Sequence, residues 1–105
     1  MTTNDGTTTW KVGFSSKAER QKRKLPTDIS DALLFLTREM ASLGPVLPHW
    51  PHYGKLVNSN DHHHCHLNKG HPRYVAVWQV TDREIRLIEI KFVGTHEAVN
   101  YNRFK

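Results

Sequence analysis

Two apolar runs separated by a short polar turn constrain the fold of this chain more than any other feature. Residues 73–80 read RYVAVWQV and residues 84–93 read EIRLIEIKFV, and only residues 81–83 lie between them. Runs rich in Val, Ile and aromatic residues that are joined so closely are typical of a β-hairpin. The first run has apolar residues at both odd and even positions, which favours a central strand buried on both faces.

The second run of this hairpin changes its pattern part of the way along. Ile85 and Leu87 share one parity, whereas Ile88, Ile90 and Phe92 share the other. Side chains alternate between the faces of a strand, so one extra residue moves all later side chains to the opposite face. The change of parity therefore predicts a β-bulge or a change of environment near Leu87.

The first part of the chain predicts a strand followed by a short basic helix. Residues 10–14 alternate apolar and polar side chains, as a half-buried strand does. Ser16 and Glu19 form a capping-box pattern that begins a helix over residues 17–24. Pro26 ends this helix, because the residue before a proline is disfavoured in the helical region.

A longer amphipathic helix is predicted over residues 27–43. Its apolar positions recur at spacings of three and four and define one face for core packing. They are Ile29, Leu33, Leu36, Met40 and Leu43. Gly44 and Pro45 form the stop signal.

Together these elements predict an α+β fold of order β-α-α-β-β-β, in which an antiparallel sheet packs against two amino-terminal helices. Residues 61–67 are the strand before the hairpin, and residues 44–60, with three prolines and two aromatic residues, predict an ordered loop. At 105 residues the chain suits one domain. We expect a flexible segment at residues 1–9 and a single domain over residues 10–105.

The charge of the chain favours an anionic partner. It has 15 Lys and Arg against 10 Asp and Glu, a formal net charge of +5, which suits nucleic acid, an acidic protein or an anionic membrane. The sequence has no apolar run of the length of a membrane helix, about 20 residues. Cys65 is the only cysteine, so an internal disulfide is excluded. These features predict a soluble, cytoplasmic protein without a membrane partner.

Histidines are the most unusual component of the chain. There are eight, and five of them lie with Cys65 between residues 61 and 71. On a strand, His62, His64 and His66 share one face. One alternative is a zinc site that combines two of these imidazoles with Cys65 or His52, but the spacing matches no zinc motif and Cys65 is on the other face. A second is a solvated edge strand on which His62 and His63 have no role.

Acid–base cleavage of RNA is the third interpretation of these histidines. A base removes the proton of the 2′-hydroxyl, an acid protonates the departing 5′-oxygen, and a cation stabilises the phosphorane. Histidine suits the first two roles because its ordinary pKa lies near the working pH. Arginine and lysine suit the third role.

The end of the chain resembles the RelE/ParE toxin superfamily, in particular its RelE and YafQ branches. The motif is Val-Gly-Thr-His at residues 93–96, followed by Tyr101, with Cys-His-Leu at residues 65–67 on the preceding strand. The resemblance spans residues 10–104 and is most specific over residues 64–101.

This resemblance implies a RelE-like fold with a short carboxyl-terminal turn or helix. It also implies the toxin of a type II toxin–antitoxin system, an endoribonuclease that cleaves messenger RNA on the ribosome and thereby inhibits translation. Catalysis would need no metal and no cofactor. The implied partners are a cognate antitoxin, the ribosome and messenger RNA.

Site residues follow from the resemblance position by position. His66 falls at a basic position that acts on the scissile phosphate, and His64 falls at a second one. His96 falls where a side chain contacts the phosphate or protonates the leaving group. Tyr101 falls near an aromatic residue that stacks on a base or helps to activate the 2′-hydroxyl. The predicted RNA-binding residues are His52, Lys69, Arg73, Lys17, Arg20, Lys22, Arg23 and Lys24.

The chain departs from the family pattern in places. Val75 stands where RelE has an arginine, which Arg73 or Lys69 would replace, and the connection over residues 68–73 is longer than in YafQ. Which histidine is the base and which the acid stays open. Two other functions stay open as well: a ParE-like inhibitor of DNA gyrase on the same fold, and a non-catalytic relative that serves as a metal-binding or scaffolding module.

Overall fold

The computed structural model describes residues 9–104. Within them, two helices pack on one face of a five-stranded sheet. The elements in chain order are β1 (Lys11–Phe14), α1 (Ser16–Lys22), α2 (Thr27–Leu43), β2 (Gly54–Lys55), β3 (His62–His66), β4 (Tyr74–Asp82), β5 (Leu87–Thr95) and a 3₁₀ helix (Tyr101–Phe104). The predicted α+β fold and the short carboxyl-terminal helix are confirmed. Apart from Thr9, the segment expected to be flexible lies outside the described residues.

The sheet is mixed, so the prediction of a wholly antiparallel sheet was wrong. Its order is β1-β5-β4-β3-β2, with β1 parallel to β5 and every other pair antiparallel. The turns within the β3-β4-β5 meander are short and impose antiparallel neighbours. No short turn joins β1 to β5, because both helices and three strands come between them in the chain. Sequence rules for hairpins therefore leave the direction of β1 undetermined.

The two helices begin and end close to their predicted positions. The cap of α1 is Ser15, whose side chain accepts a hydrogen bond from the Ala18 amide at 3.1 Å, so the capping box predicted at Ser16 was wrong. Four of the five predicted stripe residues of α2 are buried, but Leu43 is 61% exposed. The chain turns away at Gly44 (φ 91°), and Leu47 is buried in the core instead.

The sheet separates two apolar clusters. The larger lies under the helices and includes Trp78 and Ile90, whereas Val75, Val77 and Phe92 form a smaller one on the opposite face. A register shift near Leu87 was predicted and is present, but its extra residue is Thr81 of β4, and a second shift inserts Lys91 into β5. The second shift moves Phe92 to the face opposite Ile90, although both share one sequence parity.

Loop boundaries differ from the sequence prediction at two places. The hairpin turn lies at residues 83–86 rather than 81–83, because β4 continues to Asp82. The loop at residues 44–60 contains the short strand β2. This loop is attached to α2 through Glu39, which accepts hydrogen bonds from Trp50 Nε1 at 2.5 Å and from His49 Nε2 at 2.7 Å. Neither helix of the described chain is long and apolar enough to cross a membrane.

Candidate active site

Alternation along β3 places His62, His64 and His66 on the sheet face opposite the helices. This is the face of the smaller apolar cluster, where Tyr101 and Phe104 pack from the carboxyl-terminal 3₁₀ helix. The His64 ring lies 5.2 Å from Tyr101, and the His62 ring lies 5.3 Å from Phe104. His62, His64 and His66 therefore share one face of the sheet, as predicted, and two aromatic rings lie beside them.

His66 lies at the centre of a cluster of imidazoles. Its ring centroid is 4.2 Å from that of His52, with the planes 25° apart, and 5.4 Å from that of His96 in an edge-to-face arrangement. The structure thus brings together histidines from a loop, from β3 and from the end of β5. We call His52, His66 and His96 the histidine cluster.

Backbone hydrogen bonds hold the segments of this cluster together. The His66 amide donates to the Pro51 carbonyl at 2.8 Å, which ties the loop to β3. The His96 amide donates to the Arg73 carbonyl at 2.7 Å, which brings the end of β5 beside the start of β4. His52 itself has φ 54°, the left-handed region that non-glycine residues rarely adopt and that concentrates at functional sites.

A cleft of about 390 Å³ lies beside the cluster, lined by Pro51, His52, His66, Asn68, Lys69 and Arg73. The lining includes two permanent cations and no carboxylate. Arg73 Nε is buried and has no hydrogen-bond partner among the described residues. Buried donors are normally satisfied, so this guanidinium N–H is left able to donate to an anion placed beside it.

Burial and positive neighbours keep His66 neutral. Loss of solvation lowers the pKa of His66, and the charges of His52, His96, Arg73 and His64 lower it further. A neutral imidazole at pH 7 is able to accept a proton. Burial is also the largest cause of the lowered pKa of His64, followed by the charge of His52. Burial raises the pKa of Tyr101, which leaves a protonated phenol at neutral pH.

The alternating residues of β3, His63 and Cys65, point to the helical side. Cys65 is fully buried there, and burial raises its thiol pKa to about 12. His63 is 1% exposed and His62, on the other face, is 8% exposed, so the alternative of a solvated edge strand was wrong for both. Cys65 lies on the opposite face from the cluster, and residues 9–104 include no group of three His, Cys, Asp or Glu arranged to hold a metal.

The predicted basic residues of α1 lie apart from the histidine cluster. Lys17 extends to the same sheet face, 6.0 Å from the centre of the Phe92 ring. Lys22 forms an ion pair with Glu19 at 2.7 Å and lies over Phe14. Arg20 and Lys24 line a surface cleft of α1 itself, and Lys22 and Arg23 also line a groove of about 510 Å³ between the helices.

Two features of the site were missed in the sequence. Asn68 holds the connection to β4, since its side chain accepts from the Tyr74 amide at 2.9 Å and donates to the Pro72 carbonyl at 3.1 Å. Asp61 accepts from the buried His63 at 3.0 Å, and the Tyr53 hydroxyl bonds to the other ring nitrogen at 2.8 Å. An Asn in a Gly/Pro-rich connection is a turn signal, but no sequence signal distinguished His63 from its neighbours.

These buried imidazoles predict that acid destabilises the protein. Burial is the largest cause of a lowered folded-state pKa at His62, His63, His64 and His66. The unfolded chain then binds more protons than the folded chain as the pH falls below about 6.5, so stability is full above that pH and is lost below it. Urea unfolding is expected to give a lower free energy at pH 5.5 than at pH 7.5. Equal or greater stability at pH 5.5 would contradict the burial of these rings.

Comparison with known proteins identifies the class of fold. No family model matches the sequence, and no curated protein matches it. Solved structures of RelE-type toxins do match it in three dimensions. The chain therefore has the RelE fold, as the resemblance in the sequence implied.

Three of these structures show the extent of the likeness. A free mutant of Escherichia coli RelE is 20% identical with a TM-score of 0.70, over 91% of this chain and 93% of that one. A chain of the archaeal RelE–RelB complex from Pyrococcus horikoshii is 16% identical with a TM-score of 0.66, over 87% of this chain and 99% of that one. The YoeB dimer from Staphylococcus aureus is 18% identical with a TM-score of 0.64, over 83% of this chain and 97% of that one. At these identities the likeness shows the fold.

Proposed function

We propose that this chain is the toxin of a type II toxin–antitoxin system and an endoribonuclease that cleaves messenger RNA on the ribosome. The observation that carries the proposal is the convergence of the His52, His66 and His96 rings beside a cleft whose lining includes Arg73. Inhibition by docking alone needs no pair of acid–base groups, whereas phosphodiester cleavage does. Structures of RelE and of a RelE–RelB complex on the same fold support the assignment.

In the proposed reaction His66 is the base. Its neutral imidazole takes the proton of the 2′-hydroxyl as O2′ attacks the adjacent phosphorus. The bond from phosphorus to O5′ breaks, and His96, as the general acid, gives a proton to O5′. The products are a 2′,3′-cyclic phosphate and a 5′-hydroxyl, and proton exchange with water restores both imidazoles. The step consumes no cofactor.

The other residues of the site bind and orient the RNA. Arg73 and Lys69 stabilise the negative charge of the phosphorane from the cleft wall, and such electrostatic stabilisation usually accounts for more of the rate than any other single effect. His52 stacks on His66 and contacts the phosphate, and His64 and Tyr101 hold the nucleotide beside the base. Ribosomal RNA phosphates are contacted, through sequence-independent attraction, by the basic residues at the end of α1 and directly after it: Arg20, Lys22, Arg23 and Lys24.

The proposed partner in the cell is an antitoxin with an acidic amphipathic segment. The groove between the helices has an apolar floor that includes Leu25 and Leu33 and a rim that includes Lys22 and Arg23. Leu34, on the same groove, is 51% exposed. An acidic helix that places its apolar face in such a groove would cover both kinds of surface.

Induced expression tests this function directly. We expect growth arrest within one generation and new messenger 5′ ends in register with codons, without DNA breaks. Mapping of 5′ ends on ribosome-bound messages is the measurement. DNA breaks with intact messages would instead support gyrase inhibition, and arrest without either change would contradict the nuclease. Elemental analysis of the purified protein tests the metal-binding alternative, which stoichiometric zinc would support.

A further inference from the structure

A second cleft lies on the same sheet face as the histidine cluster, at the opposite end of β3. Its volume is about 350 Å³, and its walls come from β3, β5, the start of α1 and the 3₁₀ helix. The basic and aromatic side chains that line it are Lys17, His62, Lys91, Arg103 and Phe104. We call this the distal cleft. His62 and His66 are four residues apart on one strand, so the cleft is about 13 Å from the cluster.

Charge in the distal cleft is positive after its internal pairs are counted. Lys91 forms a close ion pair with Glu89, which offsets one cation. Within residues 9–104, no carboxylate lies within ion-pair distance of Lys17 or Arg103, and both side chains are exposed. Two cations from separate elements thus flank one concave surface, which suits an anion better than a single charge on a flat surface does.

His62 provides a second, independent sign of a ligand. Its side chain is 8% exposed, and its Nδ1 is buried without a hydrogen-bond partner among the described residues. Burial and the charge of Lys91 lower its pKa, so the neutral ring has one N–H to donate. An unsatisfied buried nitrogen, beside two cations that have no carboxylate partner in residues 9–104, is a cost that a bound anion would offset.

The surface between the two clefts is aromatic. Tyr101 and Phe104 are partly buried, and their rings lie against His64 and His62 respectively. Partly exposed rings interleaved with cations are the pattern of single-stranded nucleic-acid grooves, in which bases stack and phosphates pair with cations. An acidic protein segment would pair with the cations but would not stack on the rings as nucleic-acid bases do.

We propose that the distal cleft binds the phosphodiester backbone of a single RNA strand whose scissile bond lies at the histidine cluster. The inference rests on the proposed nuclease function, which it extends from one phosphate to two separated points of contact. Lys17 and Arg103 pair with phosphate oxygens, and His62 donates a hydrogen bond beside them. Two fixed points orient the strand across the sheet and set which bond reaches His66.

Binding of a non-cleavable RNA by the whole chain tests this proposal. The probe is a fluorescent single-stranded oligonucleotide in which every 2′-hydroxyl is methylated. For the double variant Lys17→Gln, Arg103→Gln we expect about tenfold weaker binding, and a slope of log affinity against log salt that is smaller by about 1.4, because two phosphate contacts are lost. The matched control is Lys11→Gln, Arg38→Gln, which removes the same charge at exposed positions outside the cleft and is expected to leave the slope within about 0.3 of the wild type.

The outcomes separate this proposal from the nuclease. Equal losses in the two double variants would overturn it, because only net charge would then matter, and so would failure of the wild type to bind the probe at low salt. Binding restored by Lys17→Arg, Arg103→Lys supports paired charges rather than a packing effect. The variant His66→Ala, His96→Ala is expected to keep the salt-slope difference. If the wild type cleaves no RNA but the salt slope still differs between the wild type and Lys17→Gln, Arg103→Gln, the proposed nuclease function is contradicted and RNA binding by the distal cleft is supported.

Discussion

The double variant His66→Ala, His96→Ala is expected to cleave messenger RNA about 10⁴-fold more slowly than the wild type and to lose toxicity on induction. The reason is that both proton transfers lose their groups while Arg73 and Lys69 still bind the phosphate. Single-turnover cleavage on programmed ribosomes is the measurement. Each single variant is expected to lose most of this rate, since groups that act in one step are far from additive.

The pH dependence of cleavage identifies which imidazole is the base. The pKa of His66 is lowered by burial and by its positive neighbours, so the base is active above a pKa that lies below 6.5. The rate is therefore expected to rise with pH through that value. The variant His66→Ala is expected to lose this acidic limb along with its rate. A wild-type rate that falls as the pH rises from 5 to 6.5 would assign the base elsewhere.

A matched control separates the site from a general loss of histidine. His71 is exposed and lies in the connection between β3 and β4, outside the cleft lining. The variant His71→Ala is expected to keep its rate within about twofold, as surface substitutions usually do. Full toxicity of His66→Ala, His96→Ala would refute the proposed mechanism, because neither the base nor the acid would remain.

The parts of the fold that could be predicted from sequence were those set by local patterns. The two strands of the hairpin and the apolar face of α2 depend on the periodicity of apolar side chains, which is visible in the sequence. The parallel direction of β1 depends on pairing between strands that are far apart in the chain. So does the change of sheet face between Ile90 and Phe92. One extra residue at Lys91 reverses the face of Phe92, and no residue type there marks the insertion.

The candidate site shows the same division. Alternation alone predicted that His64 and His66 share a face, and the resemblance added His96 and Tyr101. The position of His52 depends on a left-handed backbone and on the hydrogen bond from His66 to Pro51, which only three-dimensional structure reveals. Arg20, on α1, and Lys24, just after it, carry charge of the expected sign but are not among the residues that line the cleft beside the histidine cluster.

Replacing His63 provides the second large effect, on stability rather than on cleavage. His63 is fully buried, hydrogen-bonded at both ring nitrogens and stacked on Trp78 with centroids 6.0 Å apart. The variant His63→Ala leaves the Tyr53 hydroxyl without its buried partner, removes one partner of Asp61 and opens a cavity. We expect it to lower the free energy of unfolding by about 3 kcal/mol, measured by urea denaturation.

His66→Ala is the matched control for this loss, because both residues are buried histidines of β3. His66 faces the cleft, and no hydrogen bond to its ring nitrogens is formed within the described residues. We expect the control to lose less than about 1 kcal/mol, because truncation leaves no hydrogen-bond partner unsatisfied. His63→Ala in turn is expected to keep the acidic limb of cleavage at a temperature where it is folded. Comparable stability losses in the two variants would mean that the faces of β3 do not divide structural from catalytic histidines, since alternation along the strand is what assigns one ring to the core and the other to the RNA.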